Sequence, residues 1–143
     1  MTRTFASDSM LTLTVGSFHF NGRLEEESAP RSAALLATLL PLERDILHAR
    51  WSGEAGWVPL GPDHTLTPEN ATCYPHPGQL LVYAGADSEP ELLVPYGACA
   101  FASRAGMLAG NHVVTLEGNL SGLRQLGEAL LWKGAQTLRL AFR

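Results

Sequence analysis

Basic charge is sparse and scattered in this chain of 143 residues. Ten lysines and arginines spread from Arg3 to Arg143, against 14 acidic residues, for a net charge of −4. Proteins that hold nucleic acid or an anionic bilayer gather positive charge on one face, so neither is an expected partner. A local basic spot for a small anion stays compatible with this balance. No apolar stretch approaches the roughly 20 residues that a spanning helix needs. The segment Met1 to Ser9 is polar and lacks a hydrophobic signal core. A soluble, cytoplasmic protein is expected. Cysteine is limited to Cys73 and Cys99, too few for a disulfide framework. Charged residues make up only 17% and apolar residues 45%, which is a globular composition. The length suits one domain over residues 1–143, with residues 1–9 as a flexible extension.

Several chemical signatures are also missing. The histidines His19, His48, His64, His76 and His112 show no H-x-H or H-E-x-x-H spacing. Cys73-x-x-His76 is a chance-level pair, so no metal site and no cofactor are expected. No Gly-x-Ser-x-Gly elbow occurs, which excludes a hydrolase serine of that type. Gly106-Met-Leu-Ala-Gly110 lacks the Lys and Ser/Thr of a phosphate loop.

What is present is a series of short strand patterns punctuated by 14 glycines and 9 prolines. Leu11, Leu13 and Val15 alternate with threonines, and the apolar phase changes across Gly16-Ser17. That predicts a hairpin over residues 10–24 with a two-residue, glycine-first turn. A short helix follows, with Ser28 as cap, Pro30 in its first turn and leucines 35, 36, 39 and 40 on one face. Residues 46–51 read as a strand with Ile46, His48 and Arg50 on one face and Leu47, Ala49 and Trp51 on the other. Further strands are expected over residues 57–60, 79–84, 91–95, 98–103 and 112–116. Leu123, Leu126 and Leu130 mark a second helix, and Leu138, Leu140 and Phe142 a last strand. A final strand pairing with an early one removes the sheet edge, so a closed β-barrel of about eight strands, capped by two short helices, is expected.

The runs Ala49-Arg50-Trp51-Ser52-Gly53-Glu54-Ala55, Pro68-Glu69-Asn70-Ala71-Thr72, Pro77-Gly78-Gln79-Leu80-Leu81-Val82-Tyr83, Pro95-Tyr96-Gly97 and Leu108-Ala109-Gly110-Asn111-His112 carry a resemblance. From Leu11 to Phe142 the chain resembles a bacterial and archaeal family of uncharacterised small proteins with a cyclophilin-like barrel. The resemblance implies a mainly β, cyclophilin-like domain and carries no settled activity. Cyclophilins isomerise prolyl bonds with an Arg in a Phe-His-Arg run and a Phe-x-x-x-x-Gln. Here Phe18-His19-Phe20-Asn21 lacks the Arg and the second motif is absent, so prolyl isomerase activity is not expected.

The polar residues between His48 and His112 are the candidate site. Arg50 offers a fork for a carboxylate, with a salt bridge to Glu54 or Glu69 as its structural alternative. Glu69 and Asn70 can orient a polar substrate or act as base, or cap a turn. His112, beside Asn111, is the leading acid/base candidate because an ordinary histidine titrates near neutrality. Arg104 is its possible partner across the Gly106 turn. Trp51, Tyr83 and Tyr96 supply walls and hydroxyls. The expected function is binding of a small polar or anionic metabolite by Arg50, Trp51, Glu54, Asn70, Tyr83, Tyr96, Arg104 and Asn111. The alternatives are a cofactor-independent enzyme using His112 or Glu69 at the same pocket, and a partner subunit of an amide-hydrolysing assembly. A homo-oligomer is expected.

Overall fold

A computed structural model describes residues 10–143. The expected extension over residues 1–9 lies outside the described residues. The chain opens with strands β1 (Met10–Val15) and β2 (Phe18–Leu24), paired so that Val15 faces Phe18 across Gly16-Ser17. Gly16 alone of the two has a positive φ, +57°, as a glycine-first turn requires. Helix α1 (Pro30–Leu39) follows, then β3 (Leu42–His48), β4 (Gly53–Pro59), β5 (Ala71–Thr72), β6 (Gln79–Tyr83) and β7 (Glu91–Cys99). A small ribbon, β8 (Ala102–Ser103) and β9 (Gly106–Met107), precedes β10 (Gly110–Glu117), α2 (Gly122–Lys133) and β11 (Gln136–Phe142).

The strands run in the order β2-β1-β11-β3-β4-β7-β6-β10, and β10 pairs back onto β2. The closing register runs from Val114 opposite Leu24 to Glu117 opposite Asn21. The result is the expected closed eight-stranded antiparallel barrel with two helices. The last strand lies between β1 and β3, with Leu13 opposite Leu140. No sheet edge is left along the main strands.

Two sequence textures report two environments. Strands β1 and β11 alternate, burying Leu11, Leu13, Val15, Leu138 and Leu140 in the barrel interior. Strands β6 and β7 instead carry unbroken apolar runs, because both of their faces are covered. Leu80, Val82, Leu92 and Val94 point into the barrel core. Leu81, Tyr83 and Leu93 point outward into a second cluster with Ala55, Phe101 and Leu108. Each fully buried leucine contributes about 1.5–3 kcal/mol, and together these side chains make the barrel interior an apolar core.

Local details depart from the sequence expectation. The strand expected over residues 46–51 ends at His48, and the chain then bends through Arg50, Trp51 and Ser52. Arg50 and Trp51 are therefore not held on opposite faces of a strand. The next strand starts at Gly53, inside the expected turn. The cap of α1 is not Ser28: Ala29 occupies the cap position without a side-chain bond. Glu69 replaces it from far along the chain, its Oε2 accepting the Ser32 N–H at 2.7 Å. A carboxylate there answers both an orphan donor and the helix dipole. Helix α2 lies against the barrel through Leu123, Leu126 and Leu130, and Gly127 meets the ring of Tyr96 so closely that a Cβ would overlap it. Among the described residues, no helix is long and apolar enough to cross a membrane.

Candidate functional site

An open cleft of about 470 Å³ lies on the outer face of β3, β4 and β7. Its floor is Leu47, Trp57 and Glu91, which share the outward side of the wall: Leu47 pairs with Trp57, and Trp57 with Leu93, two residues from Glu91. Three short segments build its rim. They are the bend Ala49–Ser52, the loop bearing Asp87, Ser88 and Glu89, and the tip of the β8–β9 ribbon with Ser103 and Arg104. The volume falls within the range typical of small-molecule sites.

Each rim segment has a local reason for its place. Ser52 is buried, and its Oγ donates to the Ala102 carbonyl at 3.2 Å while accepting the Ala102 N–H at 3.1 Å. The Ser52 carbonyl also accepts the Ala100 N–H at 3.0 Å. These bonds lock the Arg50-Trp51 bend to the ribbon that carries Arg104. Gly53 makes the bend possible: its φ is +92°, and a Cβ would stand 2.8 Å from the Ala98 carbonyl oxygen. The ribbon turns at Arg104-Ala105, where Ser103 Oγ accepts the Ala105 N–H at 3.0 Å. Phe101 pins the ribbon's base, fully buried and edge-on to Tyr83 at 5.8 Å.

The cleft is electrostatically two-sided. Arg50 and Arg104 are exposed, and among the described residues neither forms an ion pair. Opposite in sign stand Asp87, Glu89 and Glu91. Glu91 is only 8% exposed, yet its carboxyl makes no hydrogen bond with the described residues. Burial, helped by the charge of Glu89, pushes its pKa up to about 7. A carboxyl poised at neutrality in a cleft is suited to proton transfer. His48 also lines the cleft. Its Nδ1 donates to the Ala49 carbonyl at 2.9 Å, so in the neutral ring Nε2 accepts from Tyr96 Oη at 2.7 Å. The Tyr96 hydroxyl is raised above its ordinary range by burial and, secondarily, by Glu54. Trp51, 55% exposed, and half-buried Trp57 provide the aromatic surface.

Of the residues singled out in the sequence, Arg50, Trp51 and Arg104 meet in this cleft. The others do not join them. Tyr83 and Asn111 line a second hollow of about 370 Å³, and Tyr83 Oη accepts the Asp87 N–H at 3.1 Å. Asn111 is buried at 3% exposure and fully bonded: Oδ1 accepts the Glu69 N–H at 3.1 Å, and Nδ2 donates to Ser32 Oγ at 2.9 Å and the Thr67 carbonyl at 3.0 Å. Asn70 adopts φ +50° and donates to the His112 carbonyl at 3.0 Å. His112 Nε2 bonds Thr115 Oγ1 at 2.8 Å, which in turn donates to Glu25 at 2.5 Å. Burial lowers the His112 pKa, against the opposing pull of Glu25. Arg104 is not its partner. Glu54 accepts the Ala98 N–H at 2.8 Å and lies 3.8 Å from Arg124. The alternatives of an Arg50 salt bridge to Glu54 or Glu69 are not formed. Glu69, Asn70, Asn111 and His112 thus spend their polar atoms holding loops to α1 and β10.

Cleft residues that the sequence does not single out include Glu91, His48, Trp57, Asp87 and Glu89. A signal for Glu91 exists: of the acids Asp87, Glu89 and Glu91, the last opens the run Glu91-Leu92-Leu93-Val94, whose unbroken hydrophobicity marks burial on both faces. Cys99 carries no comparable promise, since burial pushes its thiol up to about 11, away from the reactive thiolate. Among the described residues, no three His, Cys, Asp or Glu side chains gather as a metal-ligand set.

The barrel and its decorated wall have relatives. A family model described as "Protein of unknown function (DUF3830)" matches residues 11–142. The chain belongs to this family. No curated protein matches it. Among solved structures, that of McbB in complex with tryptophan is similar, with a TM-score of 0.74 at 20% identity over 93% of this chain. The chain spans 44% of the length of that protein. The solution structure of the hypothetical protein AF2241 from Archaeoglobus fulgidus is also similar, with a TM-score of 0.65 at 14% identity, covering 96% of both chains. At these identities the likeness is one of fold. The DUF3830 family assignment agrees with the resemblance to an uncharacterised family of barrel proteins.

Proposed function

We propose that the outer cleft binds a small carboxylate-bearing metabolite. The observation that carries this is the meeting of Arg50 and Arg104, both without an ion-pair partner among the described residues, on one cleft walled by Trp51 and Trp57. Guanidinium groups recognise carboxylates through paired, charge-assisted hydrogen bonds. Aromatic rings bury an apolar body at little entropic cost. The neighbouring structure of McbB holds tryptophan, itself a carboxylate on an aromatic frame, which supports a ligand of this size and kind. Saturable thermal stabilisation by 3-phenylpropanoate tests the reading. Arg50→Ala and Arg104→Ala should each weaken binding by about tenfold or more, the loss expected for one charge-assisted contact. Unchanged affinity in both variants would remove the arginines from the site.

A second reading, an enzyme without a cofactor at the same cleft, is favoured by Glu91. Its carboxyl is buried, has no hydrogen-bond partner among the described residues and is poised near neutrality, so its deprotonated form can accept a proton from a bound ligand. Arg50 or Arg104 would then stabilise the charge left on the ligand. In this reading Glu91 takes the role of general base that the sequence suggested for His112 or Glu69.

A further inference from the structure

We infer that the ligand is a zwitterion, an α-amino acid with an aromatic or apolar side chain, whose carboxylate meets Arg50 and Arg104 and whose ammonium meets Glu91. The inference rests on the carboxylate-binding reading and adds to it the second charge of the ligand. Three features of the cleft point the same way. First, the cations and the acids sit on different segments. Arg50 and Arg104 stand on the Ala49–Ser52 bend and the ribbon tip, which Ser52 ties together, while Asp87 and Glu89 occupy the loop before β7 and Glu91 begins β7 itself. Yet no ion pair joins the two groups among the described residues. A ligand bearing both charges would satisfy both sides at once.

Second, Glu91 is more than nine-tenths buried, faces the cleft and has no hydrogen-bond partner among the described residues. A carboxylate withdrawn from water is costly until a cation or donor joins it. An ammonium brings charge and three donors to that position. Third, Trp51 and Trp57 line the same cleft as both charged groups, aromatic surface suited to an apolar side chain and to cation–π contact with the ammonium. A simple anion would leave Glu91 unanswered and would feel repulsion from Asp87, Glu89 and Glu91. A simple amine would leave both arginines unused.

Calorimetric titration with L-phenylalanine, 3-phenylpropanoate and 2-phenylethylamine separates these cases. The three probes share one ring and differ in which charges they carry. L-Phenylalanine should bind at least about tenfold more tightly than either single-charge analogue. In Glu91→Gln, whose folding is checked by circular dichroism, the preference for L-phenylalanine over 3-phenylpropanoate should collapse toward one. Equal or tighter binding of 3-phenylpropanoate by the unmodified protein, or an unchanged preference in Glu91→Gln, overturns the zwitterion while leaving the carboxylate site standing. Binding of 2-phenylethylamine alone, or of none of the three, overturns both.

Discussion

Asn111→Ala is expected to lower the stability of the barrel by about 2–4 kcal/mol, one of the two largest effects anticipated for a single substitution here. The side chain is buried and makes three hydrogen bonds that no neighbour can replace. Its loss strands the fully buried Ser32 Oγ, the half-buried Glu69 N–H and the carbonyl of exposed Thr67, and an orphaned buried group costs about 1–3 kcal/mol. The damage spreads, because the Glu69 backbone held by Asn111 delivers the carboxylate that caps α1. Urea denaturation of the purified variant measures the loss directly. If Asn111 were instead reserved for a ligand, its removal would be neutral or stabilising, since groups held for binding are seldom optimised for folding. A variant as stable as the parent would therefore return Asn111 to the list of ligand contacts.

Glu91→Gln should stabilise the protein at neutral and alkaline pH by about 3 kcal/mol and leave it nearly unchanged in acid. The sign follows from the direction of the shift. Burial and Glu89 raise the folded carboxyl from 4.5 to about 7. Below pH 4.5 the acid is protonated in both the folded and the unfolded chain, and it imposes no penalty. As pH rises from 4.5 toward 7, the unfolded chain releases its proton while the folded chain keeps it, so stability falls. Above pH 7 the folded protein holds a buried carboxylate without an ion-pair partner among the described residues, and the penalty is complete. Glutamine resembles the protonated acid and has no proton to lose. The two stability-versus-pH curves should thus meet near pH 4 and diverge up to pH 8. Parallel curves would place Glu91 in ordinary solvent and deprive the cleft of its acid. The stabilisation would also identify Glu91 as a residue kept against the interest of folding, as functional groups often are.

The fold was largely legible because hydrophobic texture is a local signal. Alternation in β1 and β11, the change of phase at Gly16-Ser17 and the leucine spacing in α2 each reflect one neighbouring surface. The site was legible only in part, and for a physical reason. Which polar side chains meet depends on register and on loops that join distant segments. Arg50 and Trp51 reach the same cleft because the strand stops at His48, and that stop is enforced by Ser52 bonding to Ala102, 50 residues away. Glu69 and Asn111 looked chemical in sequence, yet a helix cap and a loop anchor need the same polar groups that catalysis needs. Glu91 was hidden by the opposite effect, since a carboxylate at the head of an apolar strand resembles a solvated strand start. The unbroken apolar run behind it is the signal of burial, and the structure leaves Glu91 only 8% exposed.

The three tryptophans offer the most direct test of the claim that the outer cleft is the functional site. Trp51 and Trp57 line it, while Trp132 projects from α2 at 81% exposure and serves as an internal control. Titration of 3-phenylpropanoate, followed through the indole N–H resonances, should move Trp51 and Trp57 saturably with one shared affinity and leave Trp132 still. Three unmoved resonances, or a shift confined to Trp132, would contradict a ligand site between Arg50 and Arg104.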